Sequence, residues 1–60
     1  MEKNSNGTLR YPGATYFFVD AVMRHVVEEE DCGTMIDDLR FESGNYFHTR
    51  EEAENRLKRV

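Results

Sequence analysis

Ala14-Thr15-Tyr16-Phe17-Phe18-Val19-Asp20-Ala21-Val22-Met23-Arg24-His25-Val26-Val27-Glu28-Glu29 is the stretch whose reading decides the fold, because it carries most of the apolar mass of the chain. Its periodicity supports two readings. At helical spacing, Phe18, Val22 and Val26 align, with Ala21 and His25 beside them; at strand spacing, Phe17, Val19, Ala21, Met23 and Val27 align. Residue type favours strand, since β-branched and aromatic side chains dominate and good helix formers are few. A single strand over the whole stretch would far exceed the usual ~5–6 residues. A hairpin that breaks between Asp20 and Arg24 is more economical, although that segment has no Gly or Asn for the positive φ of a tight turn.

Downstream, the helix signals are clearer. Thr49 stands at an N-cap position, and Glu52, three residues on, can reach back to its backbone N–H to complete a capping box. The helix that follows, over about Arg50 to Arg59, has a narrow apolar stripe of Ala53, Leu57 and Val60. Glu52 with Arg56 and Glu54 with Lys58 are spaced for side-chain ion pairs. Thr34 with Asp37 repeats the capping logic for a shorter helix ending at Leu39 or Phe41, with Met35, Ile36, Leu39 and Phe41 as its apolar face. Gly44 and Asn45 stop it, since both tolerate the left-handed conformation. Tyr46-Phe47 reads as a brief strand or an aromatic anchor. Residues 1–13, with Asn-Ser-Asn-Gly and then Tyr11-Pro12-Gly13, read as a flexible N-terminal arm. The expected fold is α+β: a single small domain over 14–60, with an antiparallel β-hairpin packed on a short helix and a C-terminal amphipathic helix.

Residues 15–60 resemble short proteins of phages, prophages and other bacterial mobile elements. The likeness lies in the aromatic opening Tyr16-Phe17-Phe18-Val19-Asp20 and in a closing motif that runs Asp37-Asp38-Leu39-Arg40-Phe41-Glu42-Ser43-Gly44-Asn45-Tyr46-Phe47-His48-Thr49-Arg50-Glu51-Glu52-Ala53-Glu54. The chain departs from that pattern where a hairpin glycine is expected after Asp20, and the N-terminal arm is not part of it. The resemblance implies an origin more than an activity. Small acidic phage proteins often bind a host protein, and some inhibit CRISPR nucleases; fold alone does not set such a function.

Composition narrows the classes. A sixty-residue chain buries only about 60% of its unfolded surface. Cys32 is alone, so no intrachain disulfide exists, and no Cys/His cluster has zinc spacing. A lone cysteine, a polar N-terminus and the lack of any apolar run near the ~20 residues of a membrane span make the cytoplasm the expected setting, and the resemblance implies that of a bacterial host. His25 and His48 stand far apart with no nucleophile motif, and there is no phosphate loop, so neither enzyme activity nor a cofactor or metal is expected. His25 is expected half-buried or paired with an acid, and His48 to face solvent. The net charge of −4 is concentrated: residues 28–42 carry seven carboxylates against Arg40 alone, while 1–27 and 43–60 are each +1. This balance disfavours direct nucleic-acid binding and favours a partner with a basic surface. The candidate contact residues are Glu28, Glu29, Glu30, Asp31, Asp37 and Asp38, with Tyr16 and Phe18. The two aromatics enter because a hairpin covered by one helix layer leaves its second face, with Tyr16, Phe18, Val22 or Val26, open to a homodimer or a partner interface; the resemblance implies a host protein such as a CRISPR effector as that partner. The alternative reading of the acids is a solvated edge that discourages sheet-to-sheet association.

Overall fold

In the computed structural model, which describes residues 2–59, the ambiguous apolar stretch is a hairpin. Strand β1 (Thr15–Asp20) pairs antiparallel with β2 (His25–Glu30), with Phe18 opposite Val27 and Val19 opposite Val26. The turn between them dispenses with glycine. The Asp20 carboxylate accepts the N–H groups of Val22 and Met23, each at 3.1 Å, and Arg24 donates its N–H to the Asp20 carbonyl at 2.7 Å. Arg24 takes the left-handed position, with φ of 58°. The aspartate side chain thus satisfies the donors of the loop, and a non-glycine residue bears the positive φ.

The outer side of β1 is also paired. Phe17 and Phe47 exchange two backbone hydrogen bonds of 2.8 Å, and the side-chain amide of Asn45 bonds both the N–H (2.7 Å) and the carbonyl (2.8 Å) of Val19. Residues 45–47 therefore act as a short third row of the sheet, half of it built from a side chain. Tyr46-Phe47 is both a brief bridge and an anchor.

Helix α1 (Met35–Glu42) begins at the capping box of Thr34 and Asp37, and helix α2 (Arg50–Leu57) at that of Thr49 and Glu52. After α1 the Asn45 N–H reaches the Arg40 carbonyl (2.9 Å) and the Gly44 N–H reaches that of Phe41 (3.1 Å), with Gly44 at φ of 84°. This paired closure is the Schellman arrangement that glycine permits. Within α2, Glu52 uses its carboxylate on the N–H groups of His48 and Thr49, and Arg56 lies over the Phe47 ring at 5.4 Å. The expected helix-surface ion pairs do not form among the described residues. Val60, expected in the apolar stripe, lies outside the described residues.

The two faces of the hairpin carry separate small cores. Val19, Phe47 and Ala53 are buried on one face, with Phe17, Val26 and Leu57 against them beneath α2. Tyr16, Phe41 and Tyr46 are buried on the other, with Phe18 packed alongside. The expectation that one face stays bare is thus corrected: α1 and the 44–47 link cover the second face, and Tyr16 is only 1% exposed. The N-terminal residues, expected as a flexible arm, make specific bonds to the domain. Residues 2–10 form a tight loop with a Lys3–Leu9 bridge, held by Asn6 Nδ2 on the Gly44 carbonyl (2.8 Å) and by Arg10.

Two glycine-type positions make opposite predictions. A Cβ on Gly44 would lie 2.8 Å from Asn6 Nδ2 at a φ that L residues resist. Gly44→Ala should therefore lower unfolding free energy by about 1–2 kcal/mol. Arg24→Gly relieves the left-handed side chain and should raise stability by up to about 1 kcal/mol. Urea unfolding midpoints of both variants check the pair.

Candidate functional site

The eight candidate contact residues separate into an interior group and a surface group. Asp31 and Asp37 are buried, at 1% and 3% exposure. Their burial corrects the expectation that they meet a partner: a carboxylate is held inside a chain this small only when fully bonded. Arg10 grips Asp31 with two hydrogen bonds, Nε to Oδ2 at 2.8 Å and Nη2 to Oδ1 at 3.0 Å. The Tyr46 hydroxyl donates to the same Oδ2 at 2.7 Å. Beside it, the Tyr16 hydroxyl donates to Asp37 Oδ1 at 2.6 Å and accepts from Arg40 Nη1 at 2.9 Å. The Tyr16 and Tyr46 rings stack with centroids 4.3 Å apart. Two tyrosine–aspartate–arginine sets therefore lie side by side beneath α1.

The electrostatics follow from that geometry. The Arg10 hydrogen bonds hold Asp31 at about 2 against the opposing effect of burial, with help from Tyr46 and the Gly33 N–H. Asp37 is lowered chiefly by the Tyr16 hydroxyl, and then by Thr34 and Cys32. Burial, reinforced by the adjacent carboxylates, pushes both Tyr16 and Tyr46 up to about 12, so each hydroxyl stays a donor. Asp38 is half-buried and pairs with Arg10 Nη1 at 2.7 Å. Phe18 is half-buried under the Arg40 guanidinium, which lies 3.8 Å from its ring centroid.

Glu28, Glu29 and Glu30 form the surface group, and all three are exposed. The nearest cation is Arg50, 3.8 Å from Glu28, in a pair whose members are both more than half exposed and so contributes little. Glu29 turns its carboxylate onto the N–H of Glu30 at 3.0 Å. The free edge of β2 can be read from the other side of the sheet. Phe17 and Val19 direct their backbone groups away from β2, toward Phe47 and Asn45. In an antiparallel ladder their partners Glu28 and Val26 then direct theirs outward as well. No other strand pairs with this edge among the described residues.

Next to it lies an apolar surface made by the face of α1 that its spacing announced. Met35, Ile36 and Leu39 of α1 are 77%, 57% and 61% exposed. A shallow groove of about 220 Å³ joins the two, between Glu29 and Glu30 on β2 and Ile36 and Arg40 on α1. It is smaller than the ~300 Å³ at which small-molecule sites begin. Cys32 on its rim is exposed, yet desolvation and the charges of Glu30, Asp37, Glu29 and Asp31 raise its pKa, which makes it a poor nucleophile at neutral pH. His25 is exposed at the turn end of β2, where it was expected half-buried or paired. His48, also exposed, stacks on Tyr11 and places Nε2 2.7 Å from the Leu9 carbonyl. Among the described residues no group of His, Cys, Asp and Glu is placed to hold a metal ion. No helix among them is long and apolar enough to cross a membrane.

No protein-family model, no curated protein and no solved structure matches this chain.

The acid response of the fold follows from Asp31. Its native pKa lies below its unfolded value of about 3.8, so its contribution is fully present above pH 4 and is lost as pH falls toward 2. It amounts to about 2 kcal/mol. Stability measured by urea unfolding should drop over that window. Tyr46→Phe, which removes one donor to the carboxylate, should lower neutral-pH stability by about 1–2 kcal/mol and narrow the drop.

Proposed function

We propose that this chain is a protein-binding module of a bacterial mobile element that docks on the basic surface of a host nucleic-acid-handling protein, such as a CRISPR effector, and inhibits or modulates it in the host cytoplasm. One observation carries the reading: three consecutive exposed carboxylates, Glu28 to Glu30, stand beside the exposed Met35, Ile36 and Leu39. An apolar centre flanked by exposed charge of one sign suits a partner of opposite sign, and that charge sets association rate and specificity more than raw affinity. The same carboxylates would repel nucleic acid, so the module competes for the partner's basic surface without binding the nucleic acid itself. Of the residues read from the sequence, Glu28, Glu29 and Glu30 remain in contact roles. Phe18 and Asp38 are accessible only in part, and Tyr16, Asp31 and Asp37 serve the interior.

A second reading, self-association without inhibition, is favoured by the α1 face alone. Sedimentation separates them: a stable homodimer lost on Leu39→Ser, with activity indifferent to charge reversal at Glu28 to Glu30, supports the second.

The first reading predicts that immobilised protein retains a nucleic-acid-binding protein from host lysate at low salt. Duplex DNA should displace it, and E28K/E29K/E30K should reduce its recovery at least tenfold. Recovery of the chain alone, at low and at moderate salt, would count decisively against this reading. Circular dichroism should be unchanged in the triple variant, since none of the three side chains is buried.

A further inference from the structure

The mode of docking can be taken further, on the premise that the acidic edge meets a basic partner. We propose that β2 is an acceptor edge: an extended segment of the partner, basic at alternate positions, adds to the sheet beside Val26–Glu30.

The backbone supplies the template. Val26 and Glu28 direct their N–H and carbonyl groups away from β1, as derived above, and no other strand pairs with that side among the described residues. The outward N–H of Glu30 is the exception, being occupied by the Glu29 carboxylate at 3.0 Å. A strand laid on this edge gains main-chain hydrogen bonds at Val26 and Glu28, and alternate side chains then fall on opposite faces of the sheet.

Side chains select the occupant. Alternation along β2 puts Glu28 and Glu30 at successive positions of the row that begins with Val26 beneath α2, so incoming residues opposite that row meet glutamate, Glu28 having Arg50 at 3.8 Å. Arginine or lysine there is favoured. Incoming residues on the other face lie toward the groove between Glu29 and Ile36. A small apolar side chain suits it, and a basic neighbour can draw the Glu29 carboxylate off the Glu30 N–H. The same charges reject a second copy of this chain. Two β2 edges paired about a two-fold axis at Glu28 would set that glutamate against its own copy, and directly opposed like charges destabilise a sheet. The glutamates thus leave the edge closed to itself and open to a basic strand.

The probe is an eight-residue capped peptide of alternating arginine and valine, titrated against the whole chain. Two derivatives carry N-methyl groups on alternate amides, one set in each phase. Strand addition predicts that one phase weakens binding about tenfold or more, the equivalent of one or two lost hydrogen bonds, while the other changes it little. It also predicts that hydrogen exchange at the Val26 and Glu28 amides slows at least tenfold on saturation. Equal binding by all three peptides with unchanged exchange at those amides, or protection confined to α1, overturns strand addition but leaves charge-driven docking standing. Failure of the parent peptide to bind, or binding insensitive to E28K/E29K/E30K and to salt, overturns the docking reading with it.

Discussion

The fold depends on one buried carboxylate. Asp31 receives Arg10 from the N-terminal loop, the hydroxyl of Tyr46 from the link between the helices, and the N–H of Gly33. Its backbone pairs with Gly13 and Ala14 at the start of β1. The N-terminal loop, the turn after β2 and the link between the helices are thus tied at one residue. A chain of sixty residues cannot build a large apolar core, and a charge-assisted bidentate bond supplies direction that hydrophobic contact lacks. The cost is desolvation of both ions, which is why every lone pair near Asp31 has a donor and why loss of one partner would leave an expensive orphan.

Asp37 carries a second, related constraint, and it shapes the surface. One of its oxygens completes the capping box with Thr34, while the other accepts the Tyr16 hydroxyl. To serve both, α1 must turn Asp37 and Phe41 inward. Met35, Ile36 and Leu39, at the other azimuths of an eight-residue helix, are then forced outward. The apolar patch beside the acidic edge is therefore a geometric consequence of how the polar core is anchored. Exposure of this kind costs solubility unless it is covered, and the neighbouring glutamates offset part of that cost.

The two sides of the hairpin are treated differently. On the β1 side, Asn45 and Phe47 consume the available backbone groups. On the β2 side, charge alone guards the edge. A charged edge is a weaker barrier than a covered one, because a strand of opposite sign removes the penalty on arrival. That asymmetry is the ground for the proposed docking at β2.

Much of the architecture was legible in local chemistry. Thr34 with Asp37 and Thr49 with Glu52 started both helices where the capping pattern placed them, and Gly44 ended the first, because each of these signals acts within four residues. β-branched and aromatic content marked the strands, and the break at Asp20–Arg24 held although no glycine announced it, since Asp20 bonded the loop from within. The interior roles of Asp31 and Asp37 were not legible. Their partners Arg10, Tyr46 and Tyr16 stand 15 to 21 residues away, and a run of acids reads the same whether its members face water or a guanidinium. The same holds for Met35, Ile36 and Leu39, whose apolar spacing announces a face without saying which way it turns. Caps and turns are short-range, so the helix starts and the position of the hairpin break could be read from local chemistry. Tertiary structure decided which carboxylates are buried and which side of α1 meets solvent, because those outcomes rest on ion pairs and hydroxyl bonds between segments that only folding brings together.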